Sequence, residues 1–328
     1  MSTVLNVQNL SVAIRAGSGV VQAVRDVSFT LDAGETLAIV GESGCGKTMT
    51  ALAVMGLLPP VARIAAGSIV LQDQRIDQLD AHARNQLRGS RIGMIFQNPM
   101  SSLNPTMRIG EQIAEVLVTH RGLGWDEALT RAVQLLERMQ VSNAAARARQ
   151  YPFEFSGGML QRAMIAMAIA CNPVLLIADE PTTALDVTVQ VEMLALLREI
   201  QSEHQMALLL ITHDMGVVAR MADRVGVMYA GQIVEHAPIQ AIFNATAHPY
   251  TAGLRAALPE GKTRETGLQG IPGSPPDLIA PPAGCAFYAR CPRAMKLCET
   301  HPVPEFNLEA QHSSRCWLQH PQLMERPA

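Results

Sequence analysis

The sequence predicts an α/β fold built around a mainly parallel sheet, and three features carry that prediction. The first is Gly41-Glu42-Ser43-Gly44-Cys45-Gly46-Lys47-Thr48, which fits the spacing G-x-x-x-x-G-K-[ST]. It lies between an apolar strand-like run, Thr36 to Val40, and a helix-like run, Met49 to Leu58, closed by Pro59-Pro60. The second is a pair of short continuous apolar runs, Val174 to Ala178 and Ala207 to Ile211, the pattern of strands buried on both faces. The third is Val187 to His204, amphipathic at helical spacing between those runs, which completes a strand–helix–strand unit.

The other elements follow in order. Val4-Leu5-Asn6-Val7 and Val24 to Leu31 alternate apolar and polar positions as short strands do, with a turn at Gly17-Ser18-Gly19. Ile92 to Phe96 reads as a further strand. From about Ile109 to Ala170 strand signals are missing and the spacing is helical, with turns near Gly122-Leu123-Gly124 and Pro152. After about Ala257 a series of glycines and prolines, Gly261 through Pro282, breaks all periodicity and predicts a linker with little regular structure. Four cysteines follow it.

Composition narrows the possible functions. Apolar residues make up 48% of the 328-residue chain, enough for a sizeable core, whereas only 17% are charged and 4% aromatic. A surface so lightly charged suits a protein with obligate partners. The net charge of −3 and the scarcity of aromatic stacking platforms argue against nucleic acid as a partner. The N-terminal residues lack the basic and apolar regions of a secretory leader. The longest apolar stretches, Ala163 to Cys171 and Met206 to Ile211, are too short to cross a bilayer. The expectation is a cytosolic protein that works at a membrane only by docking on another protein.

The motifs carry phosphate chemistry. In the loop 41–48 the glycines let the backbone curl so that several N–H groups face one anion. Lys47 adds a charge for the outer phosphates, and Thr48 offers a hydroxyl to magnesium. The run Val174 to Ala178 ends in Asp179 and Glu180. Asp179 suits the same magnesium, and Glu180 suits the polarising of an attacking water. Gln97, after the strand ending at Phe96, is either an amide for metal and water or an ordinary polar strand end. Ser156-Gly157-Gly158 precedes a helix starting near Leu160 and forms a second anion site, half of a site shared with another subunit. His213, at the tip of the strand beginning at Ala207, can reach a γ-phosphate. Asp186, in Ala184-Leu185-Asp186, can tie two half-sites together. Cys45 lies near a helix N-terminus, where thiolate is favoured; it is either a reactive thiol or a small residue the loop tolerates.

These motifs in this order resemble the nucleotide-binding subunit of an ATP-binding cassette (ABC) transporter. The resemblance covers roughly the first 230 residues. It implies a RecA-like core, an antiparallel β-subdomain and a helical subdomain at about 105–170, all within a cassette spanning 1–256. It also implies that two subunits stack head to tail, with ATP and Mg2+ between the loop 41–48 of one and Ser156-Gly157-Gly158 of the other. Two departures stand out. Val12-Ala13-Ile14-Arg15 offers no aromatic ring for adenine, and Met159 stands where many relatives carry glutamine.

A second resemblance is to the dipeptide/oligopeptide importers. It rests on Phe96 to Pro105, His248-Pro249-Tyr250-Thr251, Ile271 to Pro276 and the segment Cys285 to Cys316, within an extension at 257–328. Met55-Gly56-Leu57-Leu58-Pro59 resembles the first of that group's two ATPase types. The implied partners are two transmembrane permease subunits, a second related ATPase subunit in a heterodimer rather than a homodimer, and an extracytoplasmic substrate-binding protein. The implied place is the cytoplasmic face of the inner membrane, as a peripheral protein. Some relatives carry nickel, glutathione or other solutes. A soluble ABC protein acting on ribosomes or DNA is the competing class. Its members carry two cassettes or a coiled-coil or hook insertion, and this chain has one cassette and no long heptad run.

Cys285, Cys291, Cys298 and Cys316 are separated by five, six and seventeen residues, looser than the paired spacing of structural zinc sites. Four thiolates suit either a [4Fe–4S] cluster or tetrahedral Zn2+. The importer resemblance favours the cluster.

Overall fold

Strands β1 (Thr3–Ala16) and β2 (Gly19–Asp32) open the chain and run far longer than the alternation indicated. The reason is local. Asn9 and Asp26 adopt left-handed backbone, with φ of 49° and 53°, which resets the two-residue alternation in each strand. Their side chains meet, Asn9 Nδ2 donating to Asp26 Oδ1 at 2.7 Å. The computed structural model describes residues 2–182, 186–258 and 270–324. They pack as two units, one from Met1–Leu5, Leu31–Glu35 and Leu71–Leu210, the other from Asn6–Thr30, Thr36–Val70 and Ile211–Ala328.

In the first unit β6 (Ile92–Ile95) and β7 (Leu175–Asp179) pair in parallel, Ile92 opposite Leu175 through Ile95 opposite Ala178. Both strands are buried at every residue, as the unbroken apolar runs require. The helical stretch resolves into α4 (Ile109–Arg121), α5 (Trp125–Arg138) and α7 (Gly157–Ile169), with short turns α2 (Ala81–Leu87), α3 (Pro99–Ser102) and α6 (Ala144–Arg147) around them. Helix α5 buries Ala128, Ala132 and Leu136, one stripe at i, i+4, i+8, while its other faces are polar. Helix α7 is apolar nearly all round and packs against α3, α4, α5 and β6. Helix α8 (Val187–His204) spans the residues that periodicity marked, capped by Asp186, whose carboxylate accepts from Val189 N at 3.0 Å.

In the second unit β3 (Thr36–Val40) pairs in parallel with β9 (Arg224–Tyr229). A two-residue turn, Ala230-Gly231 with φ of 48° and 82°, leads into the antiparallel β10 (Gln232–Pro238). Helix α1 (Lys47–Met55) ends three residues before the expected Leu58, because Gly56 takes a left-handed cap. Strand β4 (Ala62–Leu71) joins β1 and β2, and helices α9 (Met215–Met221), α10 (Ile239–Asn244) and α11 (Pro249–Ala256) complete the cassette part. The cysteine-bearing segment is more ordered than its composition indicated. It contains α12 (Lys296–Thr300) and the hairpin β11 (Phe306–Glu309) and β12 (His312–Ser314), and β12 pairs with β10. The strand order is β11-β12-β10-β9-β3. The first part of the glycine-rich linker, up to residue 269, lies outside the described residues, as do Ala184 and Leu185; the described part, 270–282, contains no helix or strand.

Glu235 on β10 joins the cassette to that hairpin. It is buried, and its carboxylate accepts from Ala247 N at 2.8 Å and His248 N at 2.9 Å. His312 Nε2 on β12 lies 3.1 Å from the same carboxylate. Glu235→Ala would leave three buried donors without their acceptor, each costing on the order of 1–3 kcal/mol. The expected outcome in thermal unfolding is a midpoint lowered by several degrees, with Glu235→Gln falling between it and the wild type.

Candidate functional site

The loop 41–48 connects β3 to α1 and wraps back on its own lysine. Lys47 is buried, and its Nζ donates to Gly41 O at 2.8 Å and Glu42 O at 3.0 Å. Two glycines are required by shape. A Cβ on Gly46, which has a φ of 109°, would sit 2.4 Å from Ala23 O, and one on Gly41 would sit 2.1 Å from Met228 O. Ser43, Gly44 and Thr48 face solvent on the open side of the curl. Gly231 N, in the β9–β10 turn, donates to Cys45 O at 2.9 Å and fixes the loop's midpoint.

For Cys45 the sequence left a reactive thiol and a tolerated small residue as alternatives. Its side chain is buried, and burial pushes the thiol above its ordinary value despite the pull of Lys47, whose Nζ lies 3.8 Å from Sγ. The small-residue alternative describes it.

Three further residues hold this loop, and the sequence reading assigned them no such part. Tyr250 OH accepts from Glu42 N at 2.9 Å. The Glu42 carboxylate receives Arg290 Nη1 at 2.8 Å and Nη2 at 3.0 Å. Tyr229, at the end of β9, packs against Tyr250 with ring centroids 4.6 Å apart, and its hydroxyl takes Arg290 Nη1 at 3.2 Å. The motif His248-Pro249-Tyr250 thus has a physical role. His248 Nδ1 caps α11 by accepting from Tyr250 N at 3.0 Å, and Pro249 presets the first helical φ. Tyr250 then stands under the loop 41–48. The signal was present in the motif, but its target is 208 residues away in sequence.

In the first unit Gln97 and Glu180 come together, Gln97 Nε2 donating to Glu180 Oε2 at 2.8 Å. Glu180 follows the buried β7 with a φ of 49°, a left-handed backbone rare for a non-glycine residue and common where function holds strain. Its neighbour is pinned from the serine–glycine helix, Gln161 Nε2 on α7 donating to Pro181 O at 2.6 Å. Asp179 is buried at the end of β7. Ser156 caps α7, accepting from Met159 N at 3.4 Å, and Ser156 and Gly157 are exposed. The helix begins at Gly157, three residues before the expected start.

His213 is exposed between β8 (Ala207–Thr212) and α9 in the second unit. Asp214 Oδ1 caps α9, accepting from Gly216 N at 2.7 Å, and Asp214 N donates to Thr212 Oγ1 at 3.0 Å, so the backbone on both sides of His213 is fixed.

The four C-terminal cysteines line one small pocket together with His248, Phe287 and Trp317. Cys285 N donates to Cys298 O at 2.7 Å. Burial pushes the Cys285 thiol up to about 11 and that of Cys316 up to about 12, and the neighbouring sulfurs add to both shifts. Burial also holds His248 down at about 3, so its imidazole is neutral. Since Nδ1 accepts, the proton is on Nε2. His248 Nε2 and Trp317 Nε1 are buried and have no hydrogen-bond partner among the described residues. Among the described residues, no group of three or more His, Cys, Asp or Glu side chains is placed so that it could hold a metal ion.

A curled lysine-bearing loop after a buried parallel strand, with a glutamine on the acid that ends another such strand, defines an ATP-binding cassette. Comparison with known proteins agrees. The ABC transporter family model matches residues 24–183, and that of the oligopeptide/dipeptide transporter C-terminal region matches 234–298. The dimeric ATP-binding cassette MJ0796 in a post-hydrolysis state bound to ADP and Pi superposes with a TM-score of 0.66 at 25% identity, over 72% of this chain and 98% of its own. The dipeptide transport ATP-binding protein DppD of Bacillus subtilis is 47% identical over 97% of this chain and 96% of its own length. The oligopeptide transport ATP-binding protein OppD of Escherichia coli is 50% identical over 92% of this chain and 89% of its own. The chain belongs to the ATP-binding subunits of the dipeptide/oligopeptide ABC transporter family. No helix among the described residues is long and apolar enough to cross a membrane.

The burial of Cys45 predicts slow chemistry. In the folded chain at neutral pH, its alkylation by iodoacetamide is expected to be on the order of tenfold slower than in the denatured chain. Mass spectrometry of the labelled peptide reads the rate, and equal rates would contradict the burial.

Proposed function

We propose that the chain hydrolyses ATP to drive uptake of di- or oligopeptides, and that Glu180 is the group that polarises the attacking water. The observation that carries this reading is the 2.8 Å contact between the Gln97 amide and the Glu180 carboxylate at the end of a buried strand. An amide held on that carboxylate can share it with water and with metal and still move away. Lys47 and the loop amides of Gly41, Glu42, Ser43, Gly44, Cys45 and Gly46 bind the phosphates. Thr48, Gln97 and Asp179 serve Mg2+, and His213 holds the γ-phosphate. Ser156, Gly157 and Gly158 act on the ATP of a partner ATPase, with Asp186 linking the two half-sites. ATP then favours the closed pair and its hydrolysis the open pair, which is the differential binding any driven change requires.

The partners in this reading are two permease subunits at the cytoplasmic face of the inner membrane, a related second ATPase and an extracytoplasmic binding protein. The names of the relatives support peptide as cargo; nickel or glutathione would require a different binding protein with the same cassette. The cassette is assigned to 1–256, its helical part to about 105–170, and the extension to 257–328.

The four-cysteine pocket takes a [4Fe–4S] cluster in this reading, with Zn2+ as the alternative. What supports it is the donor set: four thiols at one pocket, and two buried N–H groups at the same pocket that sulfur could accept. When bound, the cluster supplies iron–thiolate bonds that cross-link the segment and a site for one electron. Cys285, Cys291, Cys298 and Cys316 would hold it, and the buried N–H groups of His248 and Trp317 line the same pocket.

Glu180→Gln is expected to lower ATP turnover of the assembled transporter by on the order of 10²-fold or more while ATP binding persists. Turnover close to the wild type would remove Glu180 from the chemistry. Anaerobically purified full-length chain is expected to be brown, with iron and acid-labile sulfide in equal amounts; a colourless protein with one equivalent of zinc would reject the cluster.

A further inference from the structure

Arg290 lies in the cysteine-bearing segment, immediately before Cys291, yet its guanidinium reaches the phosphate loop. It is 5% exposed. A guanidinium has five N–H donors, and here each meets an acceptor. Nη1 and Nη2 take the two Glu42 oxygens at 2.8 and 3.0 Å. Nη1 also meets Tyr229 OH at 3.2 Å, Nη2 meets Ile271 O at 3.2 Å, and Nε meets Pro272 O at 2.9 Å. The guanidinium carbon lies 5.7 Å from the Tyr229 ring centre and 5.9 Å from that of Phe287. The Glu42 carboxylate raises the already high pKa of Arg290 further. The cation is therefore fully committed and cannot swing out to solvent.

Glu42 is the second residue of the loop. Its carbonyl holds Lys47 and its N–H is tied to Tyr250. Left alone, its carboxylate would place a negative charge beside a bound triphosphate and could rotate the peptide whose carbonyl accepts from Lys47. A bidentate arginine prevents both: it cancels the charge and fixes the side chain in one orientation. Lysine would supply the charge without the fork.

We propose that Arg290 is a positioning residue for nucleotide binding, through which the cysteine-bearing segment completes the phosphate loop. It never touches the nucleotide; it acts through Glu42. The proposal rests on reading 41–48 as the phosphate loop.

The test is a double-mutant cycle on ATP affinity, read by titration of the full-length chain, with turnover measured in the assembled transporter. Arg290→Met is expected to weaken ATP binding ~10-fold or more, and to raise KM for ATP more than it lowers kcat. Adding Glu42→Gln removes the stranded charge and is expected to recover a substantial part of that loss. Arg290→Lys is expected to fall between the wild type and Arg290→Met. Affinity unchanged in Arg290→Met, or no recovery in the double variant, overturns the proposal. A purely structural role would lower the nucleotide-free unfolding midpoint but give no recovery of affinity on neutralising Glu42. If Arg290→Met does not fold, Arg290→Lys with and without Glu42→Gln carries the same comparison, and unchanged affinity or lack of recovery there is equally fatal. Lys47→Ala separates the two readings. If it binds ATP normally, the phosphate-loop assignment fails; if it loses binding while the Arg290 variants keep theirs, only the Arg290 role fails.

Discussion

A backbone loop can grip a polyanion only while its N–H groups are held pointing inward, and such a curl is not a conformation the chain prefers by itself. In this protein the curl is restrained by an ion pair between Glu42 and Arg290, the arginine withdrawn from solvent, at 2.8 Å. The other restraints are Lys47 on two carbonyls, Gly231 N on Cys45 O and Tyr250 OH on Glu42 N. A buried pair of this kind does not by itself add much stability, since desolvation opposes the Coulomb gain. It adds specificity. With five donors satisfied around it, the guanidinium admits one arrangement of Glu42, and so one arrangement of the residue that carries Lys47's acceptor.

The elements that carry the cassette's motifs were legible in the sequence because those motifs are short and local. The loop 41–48, the strand ending in Asp179-Glu180 and the cap at Ser156 each announce themselves within a few residues, and the structure places them on the elements their flanks indicated. Helix α8 was legible to the residue, since Asp186 caps it and Gln205 closes it with a left-handed turn. What the sequence hid were conformations that override periodicity. The left-handed Asn9 hid the continuation of β1 beyond Val7. The pair β9 and β10 escaped notice because Ala230-Gly231 is a weaker turn signal than Asn-Gly.

The order of the cysteine-bearing segment was not legible for a different reason. Its glycines and prolines remove periodicity, and absence of periodicity resembles absence of structure. Its order comes instead from long-range anchors: β12 on β10, His312 and the backbone of His248 on the buried Glu235, Arg290 on Glu42. Each anchor pairs residues tens to hundreds of positions apart, so no local window contains both partners. The motif His248-Pro249-Tyr250 was visible, but only the fold shows that its histidine is a cap and its tyrosine a prop beneath the loop.

The same anchors constrain how the extension can matter to turnover. A segment that merely decorated the cassette would present its charged groups to solvent, where an ion pair contributes about 0–1 kcal/mol and is screened by salt. Arg290 is instead withdrawn from solvent, stacked against Tyr229 and Phe287, and spent wholly on the loop and its supports. Cys285 and Cys291 bracket it, five residues before and one after. Whatever orders those thiols therefore orders the guanidinium, and the guanidinium orders Glu42. The cysteine pocket and the loop 41–48 are in this sense linked, through Arg290 and through the ring cluster of Phe287, Tyr229 and Tyr250.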